Sequence, residues 1–206
     1  NFSLYASFSK NVRNSILQFL SETYQVPCES GNTIRILRER DRNGWGLDLN
    51  QIALNNAPKD YEKYLKLGSI VNIPYRNESF DAVMDVYLIE HLTDEDVETA
   101  VEEMLRVLRP GGLMFLRIST PKRCSWGFWS DPTHINAKES EEWEAWLVSK
   151  FRERMTLVAT RFATEEYLFM KKPIDVDYFR VQENIEKEVV YLLHSPKLED
   201  KRLILK

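Results

Sequence analysis

Apolar residues recur at helical spacing in several parts of the chain. Over 1–23 they stand three and four positions apart among polar residues, which predicts an amphipathic helix. Further helices are predicted over 33–40, around 51–56, and behind Thr93, whose hydroxyl precedes three acidic residues and an apolar stripe. The apolar positions of the first helix are Leu4, Phe8, Val12, Ile16, Phe19 and Leu20.

Shorter apolar runs lie between these helices and predict strands. Residues 45–49, 80–86 and 113–118 are mostly apolar, as expected of parallel strands that are buried on both faces. A further short apolar run covers 69–73. The Pro-Gly-Gly sequence at 110–112 is predicted to stop the helix that follows Thr93. This alternation of helices and strands predicts the α/β class.

The later part of the chain changes character. No periodic pattern covers 119–137, and a loop of this length inside a domain is usually functional. A helix is predicted from Ser140 onward. The runs at 156–162 and 167–171 predict two strands of an antiparallel hairpin, and 174–194 predicts a further helix.

Length and charge limit the classes of function. The chain has 206 residues and a formal charge of −4 without a basic run, which disfavours a nucleic-acid partner. We expect one domain over 1–172, with the 1–23 helix leading in, and a helical extension and tail over 173–206. No apolar run approaches the ~18 residues of a membrane span. Two cysteines are too few for a disulfide framework, so we expect a cytoplasmic protein.

Three motifs resemble those of the class I S-adenosylmethionine-dependent methyltransferases. The most specific is the series NIPYRNESFDAV, IEHL and EMLRVLRPGG at 72–83, 89–92 and 103–112. GWGLDLN at 44–50 is similar to the family's acid-tipped second strand, and SDPTHIN at 130–136 is similar to a loop of many members. The resemblance implies a Rossmann-like, doubly wound, mostly parallel seven-stranded sheet with a C-terminal antiparallel hairpin.

The resemblance also implies S-adenosylmethionine as the cofactor. Asp48 stands at the tip of the second strand, where a carboxylate accepts hydrogen bonds from the ribose hydroxyls in dinucleotide folds. The competing interpretation is that Asp48 caps the helix that follows. The other residues that we expect to bind the cofactor are Leu49, Gly31, Glu29, Cys28, Ser69, Ile70, Val71, Asp85 and Tyr87.

The glycine-rich loop of the family is degenerate in this chain. Seven glycines among 206 residues are about half of the usual ~7%. Gly31 is kept, but Gln25 replaces the family's acid, and Pro27 and Glu29 replace two glycines. A side chain at Glu29 crowds a backbone that approaches its ligand in the family. Ser69 stands in place of the acid that holds the adenine amino group.

Three explanations of this degeneracy stay open. The chain is a divergent methyltransferase, or it is a binding or regulatory module that kept the fold without catalysis. Alternatively, residues missing near Cys28 make an ordinary loop look degenerate. We favour the enzyme.

The candidate catalytic residues are two histidines and an aspartate. Methyl transfer needs an aligned acceptor and, for a hydroxyl or an amine, a base that removes a proton. His134 and His91 fit this role because imidazole titrates near neutrality, and Asp131 lies near His134 in the sequence. The alternatives are packing for His91 and a loop-ordering hydrogen bond for His134. Glu90 is expected to cap a helix or to be solvated.

Glu90, His91 and His134 also raise the alternative of a metal site. The pattern resembles the E-x-x-E-H site with a distal histidine of the small-RNA 2′-O-methyltransferases, but Tyr87 stands where the first acid is expected. Three ligands at most remain, which is fewer than a usual closed site has. We therefore predict no metal, and an RNA 2′-O-methyltransferase-like enzyme is the less favoured alternative.

The acceptor is predicted to be a small molecule or a saccharide, because the loop at 130–136 resembles that of members acting on bacterial saccharides. Trp126, Phe128 and Trp129 are expected to form a lid, a pocket wall or part of the core. The apolar positions from Ile174 onward offer a surface for packing on the domain or for a homodimer.

Overall fold

A computed structural model describes residues 3–8, 32–39, 43–123, 127–161, 165–172 and 204–205. Four α-helices and eight strands lie within these residues. The helices are α1 (Asn32–Glu39), α2 (Gln51–Asn55), α3 (Asp94–Val107) and α4 (Ser140–Phe151). The strands are β1 (Ser3–Phe8), β2 (Asn43–Asp48), β3 (Leu65–Leu67), β4 (Phe80–Val86), β5 (Leu108–Arg117), β6 (Met155–Arg161), β7 (Glu166–Lys171) and β8 (Ile204–Leu205).

All eight strands of the described residues join one mixed sheet. Their order is β3-β2-β1-β4-β5-β7-β6-β8. The ladders β2–β3 and β4–β5 are parallel, whereas β1 runs antiparallel to both of its neighbours and β7, β6 and β8 continue antiparallel from β5. The predicted α/β class is confirmed, but a mostly parallel sheet of seven strands is wrong. The sheet differs from the prediction because β1 lies antiparallel at its centre and β8 adds an eighth strand at its edge.

The first strand replaces the predicted start of an amphipathic helix. Residues 3–8 pair with β2 on one side, where Ser3 is opposite Asp48, and with β4 on the other, where Leu4 is opposite Asp85. The sequence SLYASF also alternates apolar and small or polar residues with period two, and short runs of this kind fit a strand as well as a helix. Backbone pairing with β2 and β4 on its two edges stabilises the strand over the helix. Residues 9–31, which hold the rest of the predicted helix, lie outside the described residues.

Most elements between 32 and 107 follow the predicted pattern. The exception is the run at 69–73, which forms a turn, whereas the strand β3 precedes it at Leu65–Leu67. The helices α1 and α2 and the strands β2 and β4 lie within two residues of their predicted bounds. The Thr93 hydroxyl caps α3 by accepting a hydrogen bond from the Asp96 N–H, at 3.2 Å. The predicted apolar stripe is buried in the core, with Val97, Val101, Met104 and Leu105.

The Pro-Gly-Gly sequence does not end the helix. The helix α3 ends at Val107, and Leu108 already belongs to β5, where it pairs with Phe80. The register then shifts before Ala82 pairs with Leu113, so the Pro-Gly-Gly residues form an irregularity inside the strand. Gly111 has a φ of 76°, a left-handed conformation that favours glycine.

The chain beyond 172 is described at Ile204–Leu205 alone. Residues 173–203, with the predicted helical extension, lie outside the described residues. Ile204 and Leu205 were predicted as part of a polar tail, but they form β8, which pairs with Thr160 and Ala159 of β6. None of the helices described in the structure is both long and apolar enough to cross a membrane.

A single arginine ties the segment before β4 to the last turn of α3. The Arg106 guanidinium donates to the carbonyls of Ile73 and Tyr75, both at 2.8 Å, and to Asn77 Oδ1 at 2.9 Å. It also binds both carboxylate oxygens of Glu103, at 2.6 and 2.8 Å. This hydrogen-bonded pair holds the pKa of Glu103 below its ordinary value. The segment that leads into the candidate site is therefore fixed by a planar group with several donors.

We expect Arg106→Lys to lower the free energy of unfolding by about 2 kcal/mol, because one ammonium cannot replace this fork of charge-assisted bonds. Denaturant unfolding measures the loss, and Arg76→Lys on the exposed loop is the matched control. The contribution of Glu103 is complete above the ordinary carboxyl pKa of 4.5 and is lost as the pH falls through the lowered value. The penalty of Arg106→Lys should shrink over the same acid range. Equal stability of both variants would contradict this role of Arg106.

Candidate active site

A pocket of about 270 Å³ lies beyond the carboxyl ends of β2, β3 and β4. The strands β2 and β4 run in the same direction because each is antiparallel to β1, and the carboxyl ends of parallel strands lie at one edge of a sheet. Five residues that the sequence analysis assigned to the cofactor line this pocket: Asp48, Leu49, Ser69, Ile70 and Val71. The remaining wall is formed by Leu47, Gly68, Leu88, His91, Leu92 and Asp96.

The Asp48 carboxylate is buried at the tip of β2 and has 6% of its surface exposed. Its Oδ1 accepts a hydrogen bond from the backbone N–H of Asn50 at 2.8 Å. Asn50, and not Asp48, is the N-cap of α2, because its side chain accepts from the N–H groups of Ile52 and Ala53. Burial raises the pKa of Asp48, and the bond from Asn50 opposes that shift. The helix-cap interpretation of Asp48 is therefore wrong.

A tight turn beyond β3 forms the opposite wall of the pocket. Asn72 N–H donates to the carbonyl of Ser69 at 3.1 Å, and Val71 N–H donates to the Ser69 hydroxyl oxygen at 3.3 Å. Gly68 N–H donates to the carbonyl of Asp48 at 3.0 Å, which connects the turn to the end of β2. A Cβ on Gly68 would lie 2.8 Å from the Leu47 side chain, so a larger residue at this position would require that side chain to shift.

The structure does not bring every predicted cofactor residue to the pocket. Asp85 is fully buried on β4, and neither of its carboxylate oxygens has a hydrogen-bond partner among the described residues. Burial raises the pKa of Asp85 to about 8, against the smaller effect of the nearby backbone N–H groups of Ile89 and Val86. The Arg117 guanidinium carbon lies over the Tyr87 ring, 4.9 Å from the ring centre. Gly31, Glu29 and Cys28 lie outside the described residues.

The two candidate bases lie side by side next to the pocket. The ring centres of His91 and His134 are 4.5 Å apart, and His91 also lines the pocket. His134 Nδ1 lies 2.8 Å from the carbonyl oxygen of Phe128, which can only accept, so Nδ1 carries the proton. The Nε2 atom of His134 therefore carries the lone pair.

Asp131 acts on His91 through a hydroxyl. The Thr133 hydroxyl donates to Asp131 Oδ1 at 2.6 Å, so its oxygen accepts the proton on His91 Nδ1 at 2.8 Å. The lone pair of His91 is thereby placed on Nε2. Burial lowers the pKa of His91, and the neighbouring His134 lowers it further. The hydrogen bonds from Thr133 hold the pKa of Asp131 below its ordinary value.

Glu90 is the site residue that the sequence analysis assigned wrongly. It was expected to cap a helix or to be solvated, but its surface is 0% exposed. One carboxylate oxygen accepts the Ser119 N–H at 3.1 Å, and the other has no hydrogen-bond partner among the described residues. Burial raises the pKa of Glu90, and the nearby Asp85 raises it further. A carboxylate oxygen of Glu90 and one nitrogen each of His91 and His134 lie within 4.8 Å of one another.

The long loop is held against this cluster by Asn136. Its N–H donates to the carbonyl of Glu90 at 3.0 Å, and its side-chain amide donates to the Leu92 carbonyl and to Asp94 Oδ1. The ring of Phe128 is buried and stacks on His134, with ring centres 4.6 Å apart. Trp129 is 73% exposed, and Trp126 lies outside the described residues.

Comparison with known proteins finds a family match over part of the chain. The methyltransferase domain family matches residues 24–116, which include the end of β2, the turn beyond β3 and the end of β4. This part of the chain is similar to the class I S-adenosylmethionine-dependent methyltransferases. S-adenosylmethionine is thus the methyl donor that the family implies, and the predicted cofactor is confirmed at that level.

Individual relatives share limited regions with this chain. A probable S-adenosylmethionine-dependent methyltransferase of Mycolicibacterium smegmatis is 28% identical over 125 residues, which are 60% of this chain and 47% of that protein. The tRNA (carboxymethyluridine(34)-5-O)-methyltransferase of Arabidopsis thaliana is 34% identical over 74 residues, 35% of this chain and 18% of that protein. The chain therefore spans less than half the length of either relative.

A solved structure confirms the Rossmann-like fold of this chain. The Thermotoga maritima S-adenosylmethionine-dependent methyltransferase, a possible histamine N-methyltransferase, has a TM-score of 0.51 and 17% identity. The likeness covers 78% of this chain and 88% of that one.

We expect Asp48→Ala to weaken the binding of S-adenosylhomocysteine by at least about tenfold, because one or two charge-assisted hydrogen bonds to the ribose are lost. Isothermal titration calorimetry on the full chain measures the affinity. Asp60→Asn, which removes an exposed carboxylate outside the pocket lining, is the control for net charge. Unchanged affinity in Asp48→Ala would show that the nucleoside binds elsewhere.

Proposed function

We propose that the protein transfers a methyl group from S-adenosylmethionine to a small-molecule or saccharide acceptor. The observation that carries this proposal is the convergence of five predicted cofactor residues on one pocket, with the buried Asp48 carboxylate at its edge. Asp48 and the Ser69–Asn72 turn would hold the nucleoside. The acceptor approaches from the side of His91 and His134.

The reaction breaks the bond between the sulfonium sulfur and the methyl carbon and forms a bond between that carbon and the acceptor. The donor would be left as a neutral thioether, and the proton of a hydroxyl or amine acceptor would pass to a general base. The protein contributes mainly by alignment, and a general base adds roughly 10² to 10⁴. His134 and His91 are proposed as that base, since both carry the lone pair on Nε2. Asp131 is proposed as a positioning residue that acts through Thr133.

The charges around the site favour an acceptor without phosphates. Asp48, Asp96 and His91 line the pocket, and Asp131 lies behind Thr133. Carboxylates at this edge repel a polyanionic backbone, which is consistent with the formal charge of −4. RNA is the second candidate acceptor, because the Arabidopsis thaliana relative acts on tRNA. The homodimer and the cytoplasmic location stay predictions.

Binding of the product separates the enzyme from a non-catalytic module. We expect S-adenosylhomocysteine to bind the full chain with a micromolar to sub-millimolar Kd and to raise Tm by mass action. Calorimetry and thermal melting measure both effects. Absence of binding at millimolar ligand would leave only the non-catalytic module.

Replacement of the candidate bases tests the chemistry. With acceptor collections of saccharides and small molecules, we expect His134→Ala to lower the formation of S-adenosylhomocysteine by roughly 10² or more without a matching loss of cofactor affinity. His194→Ala removes the third histidine of the chain and serves as the control. Turnover supported by tRNA but by none of the small molecules would favour the RNA acceptor. Wild-type turnover in both His134→Ala and His91→Ala would remove the base assignment.

A further inference from the structure

Although the residue pattern alone predicts no metal, we propose that Glu90, His91 and His134 bind a divalent transition-metal cation beside the cofactor pocket. One carboxylate oxygen and one nitrogen of each imidazole already lie within 4.8 Å of one another. A cation bound at about 2.0–2.2 Å places its ligands roughly 3 to 4 Å apart. The separation of the three ligand atoms is therefore close to that of a bound site, and we expect side-chain rotations to close it.

The state of the Glu90 carboxylate is the first argument. It is fully buried, and one of its oxygens has no hydrogen-bond partner among the described residues. A buried polar atom in this state costs free energy, and a bound cation would satisfy it. The other oxygen accepts the Ser119 N–H at 3.1 Å, which orients the carboxylate at the end of β5.

The hydrogen bonds behind the histidines are the second, independent argument. Metal-binding histidines usually donate their other N–H to a carbonyl or carboxylate, which fixes the tautomer and the ring orientation. His134 donates Nδ1–H to the Phe128 carbonyl, and His91 donates Nδ1–H to Thr133, which Asp131 orients in turn. Both rings are thereby prepared with the lone pair on Nε2. The two imidazoles lie on separate chain segments, and each is oriented by its own hydrogen bond for binding a cation through Nε2.

The set of donors indicates the class of cation. Two imidazoles and one carboxylate favour zinc, cobalt, nickel, iron or manganese over calcium and magnesium, which prefer oxygen ligands. Three protein ligands leave at least one coordination position open, as in sites that bind a water or a substrate rather than purely structural sites. His91 also lines the cofactor pocket, so the open position lies beside the path of the acceptor.

The cation site goes beyond the proposed methyl transfer and changes what the histidines do. A cation bound through both Nε2 atoms occupies the lone pairs that a general base requires. In that case the cation would bind an oxygen of the acceptor and lower its pKa, a role that rests on the proposed function. Binding of the cation itself requires no methyl transfer.

Metal titration of the full chain after removal of metals by a chelator tests the proposal. Cobalt(II) is the first probe because its visible absorption reports the ligand set, and zinc(II) is the second, by calorimetry. We expect one ion per chain, and loss of at least about tenfold in affinity in both Glu90→Gln and His134→Ala. Thr133→Val keeps the ligands but removes the orienting hydroxyl, and we expect a loss of about tenfold. Glu95→Gln, in the exposed first turn of α3, is the matched control for Glu90→Gln.

The outcomes are distinct from those of the cofactor experiment. Absence of stoichiometric binding by the folded wild-type chain would overturn the cation site, and so would equal binding by Glu90→Gln and His134→Ala with the same spectrum. Circular dichroism of each variant verifies that it is folded. Binding of S-adenosylhomocysteine is measured on the same preparations. Cation binding without product binding would contradict the methyltransferase activity and leave the cation site standing.

Discussion

The buried residue Glu90 connects three chain segments that form the reactive edge of the site. Its backbone carbonyl accepts the Asn136 N–H, and its side chain accepts the Ser119 N–H just beyond β5. These bonds connect the end of β4 to the end of β5 and to the loop that carries His134. Burial of a charged group costs several kcal/mol unless hydrogen bonds or an opposite charge compensate it. A carboxylate at this position is thus under a constraint that the rest of the site must satisfy.

The central part of the fold could be predicted because its local patterns are long and consistent. The run at 80–86 has the composition of a buried strand, and the helix behind Thr93 has a cap, an acidic first turn and an apolar stripe. The first strand could not be predicted in the same way. Its six residues fit two periods equally well, and the gap between β2 and β4 that it fills is a tertiary feature. The Pro-Gly-Gly residues were wrongly predicted to end a helix, again because a tertiary contact is decisive. Pairing with β4 extends β5 through these residues.

The candidate site shows the same limit at the level of single residues. Asp48 was predictable because a strand tip in an open sheet faces the ligand crevice, and the position follows from a local motif. Glu90 was not, because a glutamate beside a histidine gives no local sign of burial. The contact between His91 and Thr133 joins residues 42 positions apart, so their sequence spacing carries no information on it. Asp96 lines the pocket from the first turn of α3, where a capping pattern already explained its charge.

The two walls of the pocket are therefore held by different kinds of contact. The wall formed by Asp48 and the Ser69–Asn72 turn is fixed by hydrogen bonds within two adjacent strand ends, most of them between residues two or three positions apart. The wall formed by Glu90 and the two histidines depends on bonds between distant segments and on the placement of the loop by Asn136. A change in the loop alters the second wall and leaves the first intact. That separation would let the loop wall vary while the strand-end wall stays the same, as expected when function is carried by loops on a rigid sheet.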